Sequence, residues 1–238
     1  MHRLEADTIG AAPAPESGFL FDGGRLAPHP NAPFDRVWLA PGVDFKDYDA
    51  VYVRPVDTTH LIGMTLWDKL NLRTLAVPRD TVELAREFHD DIEYAFINDP
   101  RHRFLVVDDP LDVDERCLVL EAALTEVVPN KATLGIVGLA AWAGPLEVAV
   151  PVATVAAFVQ QGEVAFEARV RDGGSGEVIA MAEDRETGPM RVIDLRSLTW
   201  YGNAHEILHA WAHEVVDVAD TSLERPVPHL AYFTILPW

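Results

Sequence analysis

Basic residues are scarce in this chain. Its 19 Lys and Arg stand against 38 Asp and Glu, a formal net charge of −19. Nucleic-acid binders need basic patches to displace counterions, so no nucleic acid is expected as a partner. An anionic membrane surface is repelled for the same reason. The charge itself speaks to solubility and not to fold. Cysteine is nearly absent. The single Cys117 allows no internal disulfide. It opens the apolar run CLVLEAAL and reads as a small buried hydrophobe, with no Cys or His nearby at metal-ligand spacing. G-x-S-x-G, P-loop and Rossmann glycine patterns are missing too. Residues 1–18, MHRLEADTIGAAPAPESG, have no apolar segment of the kind a signal peptide needs. Two readings stay open: a cytoplasmic protein, or a mature form whose export signal is missing.

What is present suits a folded domain. Hydrophobic residues make up 49% of 238, enough for a sizeable core. Residues 1–16 read as a disordered Ala/Pro tail, and 17–238 as a single domain. Residues 17–48, rich in Gly, Pro and aromatics, read as a coil wrapped over that domain and pinned by Phe19, Phe21, Trp38 and Phe45. Residues 50–56 (AVYVRPV), 103–107 (RFLVV) and 117–128 (CLVLEAALTEVV) read as strands. Residues 163–172 alternate, with Val164, Phe166, Ala168 and Val170 on one face. GGSG at 173–176 supplies a permissive turn, and 177–184 return as the second arm of a hairpin.

Two segments have helical periodicity. Over 80–97, Leu84, Phe88, Ile92 and Phe96 recur every fourth residue, and Asp80 with Glu83 forms a candidate capping box. Over 203–220, Leu208, Trp211, Ala212, Val215 and Ala219 form the stripe. The closing HLAYFTILPW reads as a strand or an apolar tail. The order predicts an α+β fold: a largely antiparallel sheet with two amphipathic helices packed on one face.

Residues 132–161 carry one charge, Glu147, but Gly144-Pro145 and Pro151 interrupt them. Two buried or surface-lying segments suit this better than a membrane span. Burial in the core is the first explanation of so apolar a stretch; the alternative is that part of it forms a contact surface, with Trp142, Leu146 and Val150 as the interface candidates.

One motif invites a catalytic reading. HEILH, with His205, Glu206 and His209, fits the zinc-protease pattern H-E-x-x-H. His213 cannot complete the site, because it lies eight residues from His205, about 12 Å along one helix. No second motif offers a third ligand. The three His flank the apolar stripe at the border of core and solvent, which is an ordinary place for them. His89-Asp90-Asp91 matches a metal-binding pair but reads as a solvated helix face. No metal and no cofactor are expected.

Several segments together resemble a known family. SGFLFD at 17–22, WLAPGVDFKDYDAVYVRPV at 38–56, FEARVRDGGSGEVIAMAEDRETG at 166–188 and HAWAHEVVD at 209–217 are similar, in order and spacing, to the bacterial family DUF3313. The resemblance implies a lipid-anchored protein on the periplasmic side of the cell envelope. It would be exported through a signal ending in a lipidated Cys that is not in this chain. It implies no catalytic residues. The leading expectation is therefore a non-enzymatic, lipoprotein-like envelope protein that binds or assembles. It would meet an unknown protein partner or itself, and a membrane only through that anchor. A zinc-dependent hydrolase using HEILH is one alternative. A cytoplasmic interaction protein is the other, if Met1 is the natural start.

Overall fold

The structure is a computed structural model, and it describes residues 16–61, 77–128, 163–187 and 202–229. Six strands form one mixed sheet: β1 (Arg36–Leu39), β2 (Ala50–Val53), β3 (Leu105–Val106), β4 (Cys117–Val128), β5 (Glu163–Asp172) and β6 (Val178–Thr187). Their order across the sheet is β1-β6-β5-β4-β2-β3. β1–β6, β6–β5 and β5–β4 are antiparallel, while β2 runs parallel to both β4 and β3. Two helices, α1 (Val77–Ile97) and α2 (Gly202–Thr221), pack against each other and over one face. The expected α+β class and its mostly antiparallel sheet are found.

The alternating strands behave as their pattern requires. Phe166 and Ala168 are buried under the helices, and Leu118, Leu120, Ala122 and Leu124 of β4 join them on that face. Phe166, Phe88 of α1 and Trp211 of α2 form an aromatic cluster, with the Phe166 and Trp211 rings 4.5 Å apart. Cys117 is fully buried, and burial pushes its thiol up to about 11. It is a packing residue, as its apolar run implied.

Three expectations need correction. α1 begins at Val77, so Asp80 sits inside its first turn and not at the cap. Pro78, early in the helix, suits a first turn where no amide partner is needed. Residues 17–48 are not all coil, because Arg36–Leu39 pairs with β6 as an edge strand. Phe21, expected as an anchor, is 92% exposed, whereas Phe19 and Phe45 are buried and Trp38 packs beside Phe19, Leu20 and Leu26. Residues 1–15, 132–161 and 230–238 lie outside the described residues. So, therefore, do Trp142, Leu146 and Val150, and the closing HLAYFTILPW.

The GGSG turn is more constrained than a permissive linker. Gly176 has φ +72, which favours glycine, but Gly173 is needed for space. A Cβ there would stand 2.6 Å from the Cys117 carbonyl oxygen and even closer to that of Asp114. Both are backbone atoms and cannot swing aside. Gly173→Ala is expected to cost about 1–3 kcal/mol, the range for overpacking a fitted site. Gly23→Ala, where a Cβ meets nothing within 4 Å, should leave stability nearly unchanged. Urea denaturation of the two variants checks this.

Candidate functional site

His205, Glu206 and His209 of HEILH lie on the exposed side of α2, along its seam with α1, while Ile207 and Leu208 are buried in the core. His205 Nδ1 is 2.5 Å from Glu87 Oε2, and His209 Nδ1 is 3.5 Å from Asp91 Oδ1. The two His and the two acids are each spaced i, i+4, so the pairs repeat with the helical turn. His209 and His213 stack edge to face at 4.8 Å. Burial, and then the His209 charge, lower the pKa of His213. Glu206 is exposed. Among the described residues no three His, Cys, Asp or Glu converge as a metal site. The motif thus acts as a surface clamp between helices. His89 does similar work: its Nε2 donates to the Val53 carbonyl at 3.2 Å and also faces Glu93.

A second cluster lies deeper, and the sequence did not single it out. Trp211 Nε1 donates to Asp184 Oδ2 at 2.6 Å, and the Asp35 amide donates to Asp184 Oδ1 at 3.0 Å. Burial, with the Asp35 carboxylate beside it, pushes Asp184 up to about 7. Nearby, His229 bridges Glu186 Oε1 at 3.0 Å and the fully buried Glu214 Oε1 at 3.1 Å. Its contacts to these carboxylates raise it to about 10, so it is cationic at neutral pH. The residues come from β6, α2 and the segment after α2, and they lock that segment down. A signal for them existed. Asp184 and Glu186 fall on the same alternating face as Ala180 and Ala182, and Glu214 sits three residues from Trp211 on the apolar stripe.

The face of the sheet away from the helices is also covered. Residues 17–20 lie across it as a strap. Glu167, itself buried, accepts the Ser17 amide through Oε1 at 3.3 Å and the Leu20 amide through Oε2 at 3.2 Å. Arg169 Nη1 donates to the Phe19 carbonyl, and its guanidinium lies 4.5 Å above the Phe19 ring. Gly18, with φ +84, allows the turn between the two grips. Beside it, Glu121 accepts from Arg54 at 2.7 Å, from Arg171 at 3.1 Å and from Arg169. Burial opposes its charge, but the three guanidiniums outweigh that and hold its pKa below the usual range.

The remaining feature is apolar. Between the sheet and the C-terminal half of α2 lies a cavity of about 60 Å³. Its floor includes Ala168, Ala180 and Ala182, and Val215, Val218 and Ala219 face it from α2.

The model of the family described as protein of unknown function DUF3313 matches residues 15–215. The chain belongs to the DUF3313 family. Among curated proteins nothing matches its sequence. Two solved PelC dodecamers from Paraburkholderia phytofirmans are similar, each at 11% identity. One covers 77% of this chain and 97% of its own, with a TM-score of 0.39. The other covers 75% and 95%, with a TM-score of 0.38. A Helicobacter pylori protein described as a homologue of neuraminyllactose-binding hemagglutinin is similar at 9% identity, covering 76% and 86%, with a TM-score of 0.32.

The segments that carry the DUF3313 resemblance have structural employment here. SGFL is the strap. In the PGVDFKDY stretch, Gly42 takes φ +82, and Asp44 caps the next turn by accepting the Lys46 amide at 2.9 Å. Asp44 also accepts from Ser222, just beyond α2, at 3.1 Å. Tyr48 donates to Asp172 at 2.8 Å, and burial, then Asp172, raises it to about 12. The Trp-Ala pair of the last helix is Trp211 and Ala212, both fully buried.

Asp184 and His229 make stability depend on pH with a definite sign. Each holds its proton more tightly folded than unfolded. Each therefore contributes stability that is complete below its unfolded pKa and lost as pH rises through its folded one. The window for Asp184 runs from about 4 to about 7, and that for His229 from about 6.5 to about 10. Stability measured by urea denaturation is expected to fall steadily from pH 6 to 9.5. His229→Gln should lower stability at pH 6 by about 1–3 kcal/mol, since His229 is partly solvated although Glu214 is not. It should also flatten the profile above pH 7. A variant profile as steep as the parent's would assign the slope to other groups.

Proposed function

We propose that this DUF3313 domain is a non-enzymatic binding or assembly module of the bacterial cell envelope, held there by a lipid anchor and working with a protein partner or with further copies of itself. One observation carries the reading: several polar residues of the family pattern, and the two His of HEILH, are spent on tying the chain's own segments together. His205 and His209 pair with Glu87 and Asp91. Ser17 and Leu20 are held by Glu167, and Asp44 and Tyr48 fix the turn beside α2 and the β5 end. Catalysis would need such groups aimed at a shared point where a substrate could sit.

The envelope location rests on the family resemblance. The described helices include none long and apolar enough to cross a membrane. With a charge of −19 the domain has no electrostatic attraction to an anionic bilayer, so retention there would need a covalent anchor or a protein partner.

Fractionation of cells expressing the native gene tests the proposal. The protein is expected in the envelope fraction, to stay there through a high-salt wash and to leave with detergent, because screening breaks charge contacts but not a lipid anchor. Recovery in the cytosol would overturn the envelope assignment and favour a cytoplasmic interaction protein.

A further inference from the structure

We infer that the cavity between the sheet and α2 takes the end of an unbranched hydrocarbon chain, an acyl or alkyl tail whose remainder lies outside. The inference deepens the binding-module reading and rests on it.

The sequence leaves this gap by placing small residues on both sides of one interface. Across the sheet, Ala122, Ala168, Ala182 and Val37 stand in one cross-strand row facing the helices. In the next row on that face, Ala180 pairs with Val170 and Leu39. Opposite them α2 offers Val215, Val218 and Ala219. The contrast lies one row the other way, where Leu124, Phe166 and Asp184 align under Trp211 and the space is filled. Protein cores are close-packed, and voids larger than a water molecule are few. Phe34, Phe45, Phe96, Leu118 and Leu120 also wall the void, which opens over Ala168, Ala180 and Ala182 and stops short of the row that Trp211 fills.

The chemistry of the walls selects the occupant. They are apolar, so a water inside would lack the two to four partners it needs. Among the described residues the cavity is partly open and not sealed. Its volume of about 60 Å³ is well below the roughly 150 Å³ known to admit benzene. By volume it has room for a few methylenes and less than that cavity offers a ring. Such a chain could come from a free fatty acid or from a membrane lipid.

Alanine-methyl NMR on the full chain decides the matter. One arm titrates sodium decanoate below its micelle concentration, and the other adds phosphatidylcholine vesicles. The methyl signals of Ala168, Ala180 and Ala182 are expected to shift saturably. A shift with decanoate alone assigns the chain to a free fatty acid, and a shift with vesicles assigns it to membrane lipid. Ala168→Val, or Ala180→Val if the first fails to fold, fills the space. Either should hold or raise Tm while weakening binding at least tenfold. No saturable shift in either arm, or a shift that survives unchanged in a folded filled variant, overturns the inference. Neither result touches the fractionation test, so the envelope reading would stand or fall separately.

Discussion

A carboxylate carried out of water must be met by donors, and the loose segments of this fold are arranged as those donors. Glu167 meets two amides of the strap. Glu214 and Glu186 meet His229 in the segment after α2. Asp184 meets the Trp211 indole and the Asp35 amide next to β1. Asp220 and Asp99 meet Arg101, whose neighbour Arg103 donates to the Ala219 and Asp220 carbonyls at the end of α2. In each case the acid sits on or beside a helix or strand, and at least one of its partners fixes a segment that the hydrogen-bond ladders do not reach. The acidic surplus is thus used inside the molecule as well as on its surface.

Such contacts place segments more than they add stability. A buried ion pair barely offsets its own desolvation, yet removing one partner is costly because the other charge is left without its counterion. The hydrophobic core supplies the driving force, through the aromatic cluster of Phe88, Phe166 and Trp211 and the Leu-rich face of β4. The carboxylates then decide which turn or tail lies on which face. That division explains why recognisable motifs such as SGFL and the Trp-Ala pair belong to the architecture and not to a reactive centre.

Much of the fold was legible because alternation and fourfold spacing report burial directly. β5 has the expected bounds, as does β4, and α2 extends the expected helix by one residue at each end. β1 was missed because four edge residues flanked by Pro-rich coil carry no periodic signal. Asp80 misled because a capping box is a local pattern, whereas the helix gains length from tertiary packing. The polar brackets were hidden for another reason. Glu167 reads as a solvent-facing residue of an alternating strand, and only the strap, 150 residues away from it in sequence at Ser17, makes that face an interior. HEILH showed the opposite failure: its spacing was right for zinc, but its partners on α1 were invisible until the helices were placed.

The claim that buried carboxylates hold the loose segments is tested most directly at Glu167. The substitution Glu167→Leu keeps most of the bulk and removes both acceptors. Residue-resolved amide hydrogen exchange then reads Ser17 and Leu20 against the β5–β6 ladder. The account predicts that these two amides exchange about tenfold faster or more, the equivalent of roughly 1.4 kcal/mol, while the ladder amides keep their protection. Unchanged protection at Ser17 and Leu20 in the folded variant would contradict it.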